Sequence, residues 1–358
     1  MADPTIVRND HIPWLDTLRG IAILFVVLGH TIPVNRFYVY IYSFHMPLFF
    51  WISGYLFDAS RYTELRSYAV RKARTLLIPY AVFYAVILAY YTVNPFSTIQ
   101  IALFRPPFNG ATFIFGELKT FLYASRDIHV LEQTGLLWFL PCLFVVEIMF
   151  YAIYKLVDGK INMLAGLSVL SLLLGYAKYT FFFETSFPWF ADIALTAVFF
   201  YGCGFLMKSR STIEWMSKRP FMLAVLLIAA YFCFEQRGPV APDMRIGYYG
   251  NFWMYILAAI SGTFFYALLS RKTGSIRLPA YLGKNTLIIF GLHGLIKETG
   301  IWALNAGVAL FTARDILIDE VVYGFIIAAM IVAFFIPVIE LMNYTLAEWR
   351  NRRAGSAA

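Results

Sequence analysis

Charge is scarce in this sequence: only 14% of its 358 residues are Asp, Glu, Lys or Arg, while 60% are hydrophobic. That balance excludes an intrinsically disordered chain and an ordinary soluble domain, in which roughly a quarter of residues are charged. Cysteine is nearly absent. Cys142, Cys203 and Cys233 fall in apolar stretches without CxxC spacing, which excludes a disulfide framework or a cysteine zinc site and leaves them packing roles. No His, Cys, Asp and Glu grouping has metal-ligand spacing, so no metal requirement is expected. Internal repeats, low-complexity tracts and Ser/Gly linkers are also missing, which argues for a single domain over 1–358. The opening MADPTIVRNDHIPW lacks a basic region leading into an unbroken apolar core, so no removable signal peptide is expected and the first helix is read as retained.

Long apolar runs dominate what is present. A helix that crosses a bilayer needs roughly 20 apolar residues. Candidate stretches lie near 14–34, 37–57, 79–93, 136–157, 163–181, 190–208, 221–235, 252–270, 286–305 and 318–342, the third and seventh being short. The expected fold is therefore all-α, a polytopic membrane bundle of about ten transmembrane helices. Most Lys and Arg fall in alternate connections, such as Arg61 to Arg74, Lys208 to Arg219 and Arg271 to Lys284, whereas Arg245 is among the few on the opposite side. The positive-inside rule then puts both termini in the cytoplasm. The net charge of +8 follows from this asymmetry and from anionic membrane lipid, and calls for no nucleic-acid partner. The connection over 94–135 contains FRPPFNGATFIFGE and reads as an ordered outer cap.

The first span, WLDTLRGIAILFVVLGHTIPV, carries Arg19 and His30 eleven residues apart. On a helix they share a face and lie about 16 Å apart along the axis. Ionisable groups at membrane depth are costly and mark polar interiors, so the pair is a candidate site, with Asp16 positioned one turn before Arg19 to pair with it. An interfacial Asp–Arg anchor with a capping His30 is the alternative. In the second span, YIYSFHMPLFFWISGYLF, Pro47 is expected to kink the helix beside His45 and open room for a ligand. The following RYTELRSYAVRKARTLLIPY is basic and amphipathic. Its Arg71 and Arg74 share a helical face and suit phosphate oxygens, with Lys72 between them, although juxtamembrane basic clusters also serve as lipid anchors. Further on, Trp138 starts a span with Glu147 deeper in it, and His293 is followed by Lys297 four residues later. All four are candidate cavity residues.

These segments occur in an order that resembles the acyltransferase-3 family of integral-membrane O-acyltransferases. The resemblance rests on Arg19–x10–His30, SFHMPLFFWISGYLF with Ser53-Gly54-Tyr55, Arg71–x2–Arg74 leading into Leu77-Ile78-Pro79-Tyr80, Trp138-Phe139-Leu140, and Leu282-Gly283-Lys284-Asn285 with His293. It runs over roughly 12–345 and is nearest to the subgroup described as fucose-4-O-acetylase-like sugar acetylases. It implies transfer of an acyl group, usually acetyl from cytoplasmic acetyl-CoA, to a sugar hydroxyl of a cell-envelope polysaccharide, the acceptor being free or lipid-linked, in a bacterial inner membrane. Under it, His30 is the expected general base, Arg19 and Asp16 act at or near the donor, Arg71 and Arg74 with Lys72 hold CoA phosphates, and His45, Ser53, Tyr55, Trp138, Glu147 and His293 line the substrate cavity. No fused extracytoplasmic esterase-like domain is present, so the acceptor would be met within the bundle. A side-chain acyl intermediate remains an open route, and a secondary transporter or glycan exporter remains a different reading of buried cations in a helix bundle.

Overall fold

The computed structural model describes residues 12–60, 62–93, 110–124, 131–236, 240–311 and 319–355. Among them the regular structure is helical, apart from one isolated antiparallel bridge between Asp243 and Tyr248. The helices are α1 (Pro13–Thr31), α2 (Arg36–Tyr42), α3 (His45–Tyr55), α4 (Leu65–Val93), α5 (Gly110–Tyr123), α6 (Phe139–Leu156), α7 (Ile161–Phe181), α8 (Ala191–Ser209), α9 (Thr212–Ser217), α10 (Met222–Gln236), α11 (Phe252–Thr273), α12 (Arg277–Lys284), α13 (Thr286–Phe311) and α14 (Glu320–Gly355). Seven of the described segments are long and apolar enough to cross a membrane, those of α1, α4, α6, α7, α8, α11 and α14. Of the other three expected stretches, 37–57 is divided between α2 and α3, 221–235 is the 15-residue α10, and 286–305 falls in the 26-residue α13.

Two elements differ from the sequence expectation. The second stretch is broken rather than kinked at Pro47. Ser43 turns its hydroxyl back onto the Val39 carbonyl at 2.8 Å, and Phe44 leaves the helical region at φ −144°, so these two residues separate the end of α2 from His45 at the start of α3. Pro47 then lies in the first turn of α3, where a missing N–H leaves no bond unmade. The third stretch is longer than expected: α4 runs 29 residues, from the basic segment through the apolar one. Pro79 cannot donate to the carbonyl one turn earlier, and a π turn over Ala73–Leu77 absorbs the mismatch without ending the helix.

The bundle is organised around α1, whose buried face includes Leu15, Leu18, Ala22, Ile23, Val26 and Val27. Its first half packs on α12 at backbone distance. A Cβ on Gly20 would lie 1.8 Å from the Pro279 carbonyl oxygen, and one on Gly283 would lie 1.9 Å from the carbonyl oxygen of Asp16. Ile276 N–H donates to Thr17 Oγ1 at 3.0 Å at the same crossing. Neither neighbour is a side chain that could swing aside. Gly20→Ala is accordingly expected to destabilise the protein by about 1–3 kcal/mol, the cost of overpacking, read as a lowered unfolding midpoint in detergent. The α3–α8 crossing uses the same device, with Gly54 against the Tyr201 carbonyl and Gly204 against that of Trp51.

The expected outer cap is described only in part. Over 110–124 it forms α5, tied to α4 by Tyr84, whose hydroxyl donates to the buried Glu117, and by Tyr80, whose hydroxyl donates to the Phe121 carbonyl at 3.1 Å. Residues 94–109 and 125–130 lie outside the described set. Cys142 is buried and Cys203 partly so, both unbonded to sulfur; the Cys233 side chain lies outside the described set.

Candidate functional site

At the C-terminal end of α1 the bundle encloses a cavity of about 260 Å³. Its wall includes His30 of α1, Tyr38 and Tyr42 of α2, His45 and Met46 of α3, Trp138 just before α6, Phe290 and Lys297 of α13, and Asp243, Met244 and Arg245 from the connection before α11. Elements distant in sequence meet here because α2 is short and α3 restarts at His45, which turns that histidine inward beside Tyr42, 4.9 Å between ring centroids.

Two imidazoles, His30 and His45, line the cavity, and His293 is buried beside His30 without reaching the wall. His45 Nδ1 lies 2.8 Å from the Ile41 carbonyl, and His293 Nδ1 lies 2.8 Å from that of Phe290. A carbonyl only accepts, so both Nδ1 atoms carry the proton in the neutral rings and each Nε2 keeps its lone pair. His293 Nε2 is buried without a hydrogen-bond partner. His30 differs from both: among the described residues its ring makes no hydrogen bond, and it is only partly buried. Its ring centroid stands 5.1 Å from that of His293 and 6.3 Å from that of Tyr42, which stacks on Tyr38 at 4.1 Å. Among the described residues His30 thus carries no hydrogen bond, whereas the tautomers of His45 and His293 are set by main-chain carbonyls.

The outer wall is a preformed turn. Asp243 and Tyr248 exchange backbone hydrogen bonds of 2.8 and 3.0 Å, Asp243 Oδ1 accepts from the Arg245 N–H at 2.9 Å, and Gly247 closes the 3₁₀ turn at φ +69°. Burial pushes the Asp243 carboxyl above its usual range, and Arg245 partly offsets this. Sequence reasoning missed Asp243, Tyr38 and Tyr42, and treated Arg245 only as a topology charge. The signal available was an Asp-x-Arg turn next to Gly247, which marks a tight turn but not what it faces.

The remaining candidates lie elsewhere. Arg19 NH1 pairs with Asp16 Oδ1 at 3.4 Å, at the α12 end of α1, about 16 Å along the helix from His30. Ser53 donates to the Phe49 carbonyl at 2.9 Å, and Tyr55 is packed between Trp14 and Trp51, with centroids at 5.5 and 5.1 Å; neither lines the cavity. Glu147 lies nine residues, about 13 Å, along α6 from Trp138. It is 3% exposed and accepts from Tyr68, from Tyr201 at 2.7 Å and from Lys72 at 2.7 Å, so it joins α4, α6 and α8. Lys72 was expected to face a donor phosphate and turns instead to this carboxylate. Arg71 and Arg74, on either side of the start of the π turn, are exposed.

Among the described residues no group of three or more His, Cys, Asp or Glu is arranged to hold a metal ion. A family model described as an acyltransferase domain, acyltransferase-3, matches residues 12–343. Searches of curated proteins and of solved structures return no match.

Proposed function

The chain belongs to the acyltransferase-3 family of membrane acyltransferases, and from that premise we propose that it moves an acetyl group from acetyl-CoA to a sugar hydroxyl of a cell-envelope or exported polysaccharide. We place it in a bacterial inner membrane, with both termini cytoplasmic, the donor entering from the cytoplasm and the acceptor from the opposite side. The observation that carries the mechanism is the position of His30: a partly buried imidazole, without a hydrogen bond among the described residues, on the wall of a cavity of about 260 Å³.

A sugar hydroxyl is too weak an acid to attack a thioester unaided near neutral pH. In the proposed reaction His30 accepts the hydroxyl proton while the oxygen bonds to the thioester carbonyl carbon. The tetrahedral species collapses, the carbon–sulfur bond breaks, and the imidazolium returns the proton to the CoA thiolate, leaving an O-acyl ester and CoA. Such general-base assistance is worth about 10²–10⁴-fold. The Tyr38 and Tyr42 side chains line the same wall and are assigned to charge developing on the thioester oxygen. The cavity is below the roughly 300–1,000 Å³ of pockets that enclose whole drug-sized ligands, which suits a chamber for the reacting ends alone.

Arg19 is too far along α1 to share a carbonyl with His30 and is assigned, with Asp16, to the donor path. Arg71 and Arg74 are assigned to CoA phosphates. The exposure of both guanidiniums beside an α4 segment anchored through Lys72 and Glu147 supports that assignment. Arg71→Ala and Arg74→Ala are each expected to raise KM for acetyl-CoA about tenfold with a smaller change in kcat, since a charged hydrogen bond contributes about 1.5–3 kcal/mol. Initial rates of CoA release against donor concentration test this, and an unchanged KM in both variants would remove the phosphate assignment.

A further inference from the structure

The cavity contains more positive charge than transfer to a neutral sugar requires. Arg245 and Lys297 both line it. The Arg245 guanidinium approaches Asp243 only to 3.8 Å, beyond hydrogen-bond distance, and among the described residues its side chain has no other polar partner. Lys297, one helical turn past His293 on α13, has no hydrogen bond or ion pair among the described residues. A guanidinium presents five N–H donors and an ammonium three, so a large donor capacity faces the chamber unspent. Asp243 is the one carboxylate on the described wall and offsets one of the two cations.

Arg245, in the connection before α11, keeps 29% of its side chain exposed, so water meets part of its donor capacity, and the surplus cation in this half-buried chamber favours an anionic ligand. CoA phosphates do not meet that need on the proposed path. They are assigned to Arg71 and Arg74, which flank Lys72 at the level of Glu147, about 13 Å along α6 from Trp138 on the cavity wall. The group that neutralises Arg245 and Lys297 therefore arrives with the other reactant. We infer that the acceptor is an acidic sugar, carrying a carboxylate or phosphate that Arg245 and Lys297 hold while a neighbouring hydroxyl is presented to His30. The inference rests on the acyl-transfer reading and extends it to acceptor class. The Asp243–Tyr248 turn supports it by fixing the backbone from which the Arg245 side chain reaches the chamber.

The test uses the full-length protein in nanodiscs with acetyl-labelled acetyl-CoA and two acceptors that differ only at C6, methyl β-D-glucuronide and methyl β-D-glucoside. Wild type is expected to favour the glucuronide by about 10–100-fold in kcat/KM, the range of a charge-assisted contact. Arg245→Gln and Lys297→Gln are each expected to narrow that ratio about tenfold or more, and Arg245→Lys to narrow it less than Arg245→Gln, with unfolding midpoints confirming that each variant is folded. Equal use of the two sugars by wild type, or a parallel fall on both in the variants, would overturn the inference. Succinyl-CoA outperforming acetyl-CoA on the glucoside would assign the cations to the acyl group and overturn it as well. Labelled glucoside with unlabelled glucuronide defeats the inference alone, whereas no CoA release with any pair defeats the transfer reading and the inference with it.

Discussion

Replacing His30 with alanine is expected to lower kcat for acyl transfer by about 10²–10⁴-fold while KM for acetyl-CoA stays near its wild-type value. The separation follows from the geometry. His30 meets the cavity at the far end of α1 from Arg19 and Asp16, so donor phosphates would not sense its removal. Its ring makes no hydrogen bond among the described residues, so the fold loses packing but no polar anchor. His45 and His293 are different, because each ties its Nδ1 to a main-chain carbonyl at 2.8 Å. Phenylalanine at either position would remove that side-chain hydrogen bond while the carbonyl keeps a main-chain donor, at a cost in stability of about 0.5–1.5 kcal/mol. His30→Ala with an unchanged unfolding midpoint and collapsed turnover is the signature of a base. Turnover within tenfold of wild type would remove His30 from that role.

Glu147→Ala is expected to be among the most destabilising single substitutions in the chain, at about 3–5 kcal/mol, the cost of leaving one partner of a buried ion pair uncompensated. The carboxylate holds Tyr68 of α4, Tyr201 of α8 and Lys72 of α4 at once. Both phenols are fully enclosed, at 1% and 0% exposed, so each would lose its partner without gaining water. In Lys72→Met the carboxylate keeps both phenol donors, so that variant is expected to cost less than Glu147→Ala. Glu147→Gln keeps the shape and one acceptor and should fall between them. Tryptophan-fluorescence melts of the detergent-solubilised protein check the order. A Glu147→Ala protein that melts like wild type yet transfers no acyl group would instead make Glu147 part of the reaction.

The contrast between these two residues shows how far the sequence could be read. An ionisable group inside an apolar run is visible at once because hydrocarbon penalises it, and that rule exposed His30, His45, Glu147 and His293 alike. The same penalty is relieved by a cavity or by another helix, and a linear sequence does not distinguish the two. His30 and His45 reached the chamber, His293 is buried behind His30, and Glu147 was taken up by Tyr68, Tyr201 and Lys72. Ser53 and Tyr55 lie outside the chamber for a related reason: the Gly54 between them is needed where α3 touches the Tyr201 backbone, and its neighbours pack around that contact.

Helix placement was legible where roughly 20 apolar residues ran together, as in α1, α6, α7, α8 and α11. It was less so where a local rule met a tertiary accommodation. Pro79 read as the start of a span, yet the π turn carried α4 through it. Pro47 read as a kink, yet Ser43 and Phe44 had already ended the preceding helix. Asp243 and Arg245 gave little signal because they lie in a connection rather than in an apolar run. Only the closure of that connection over α1, α3 and α13 brings them to the chamber.

In the proposed reaction an acetyl group passes from CoA to a sugar at His30. The most direct test supplies acetyl-labelled acetyl-CoA to wild type and His30→Ala protein in nanodiscs, with a panel of neutral and acidic sugars, and follows both CoA release and the fate of the label. Wild type is expected to release CoA and label a sugar, while folded His30→Ala protein does neither at more than about 1% of that rate. Intact acetyl-CoA with every sugar, or label transfer undiminished in His30→Ala, would contradict it.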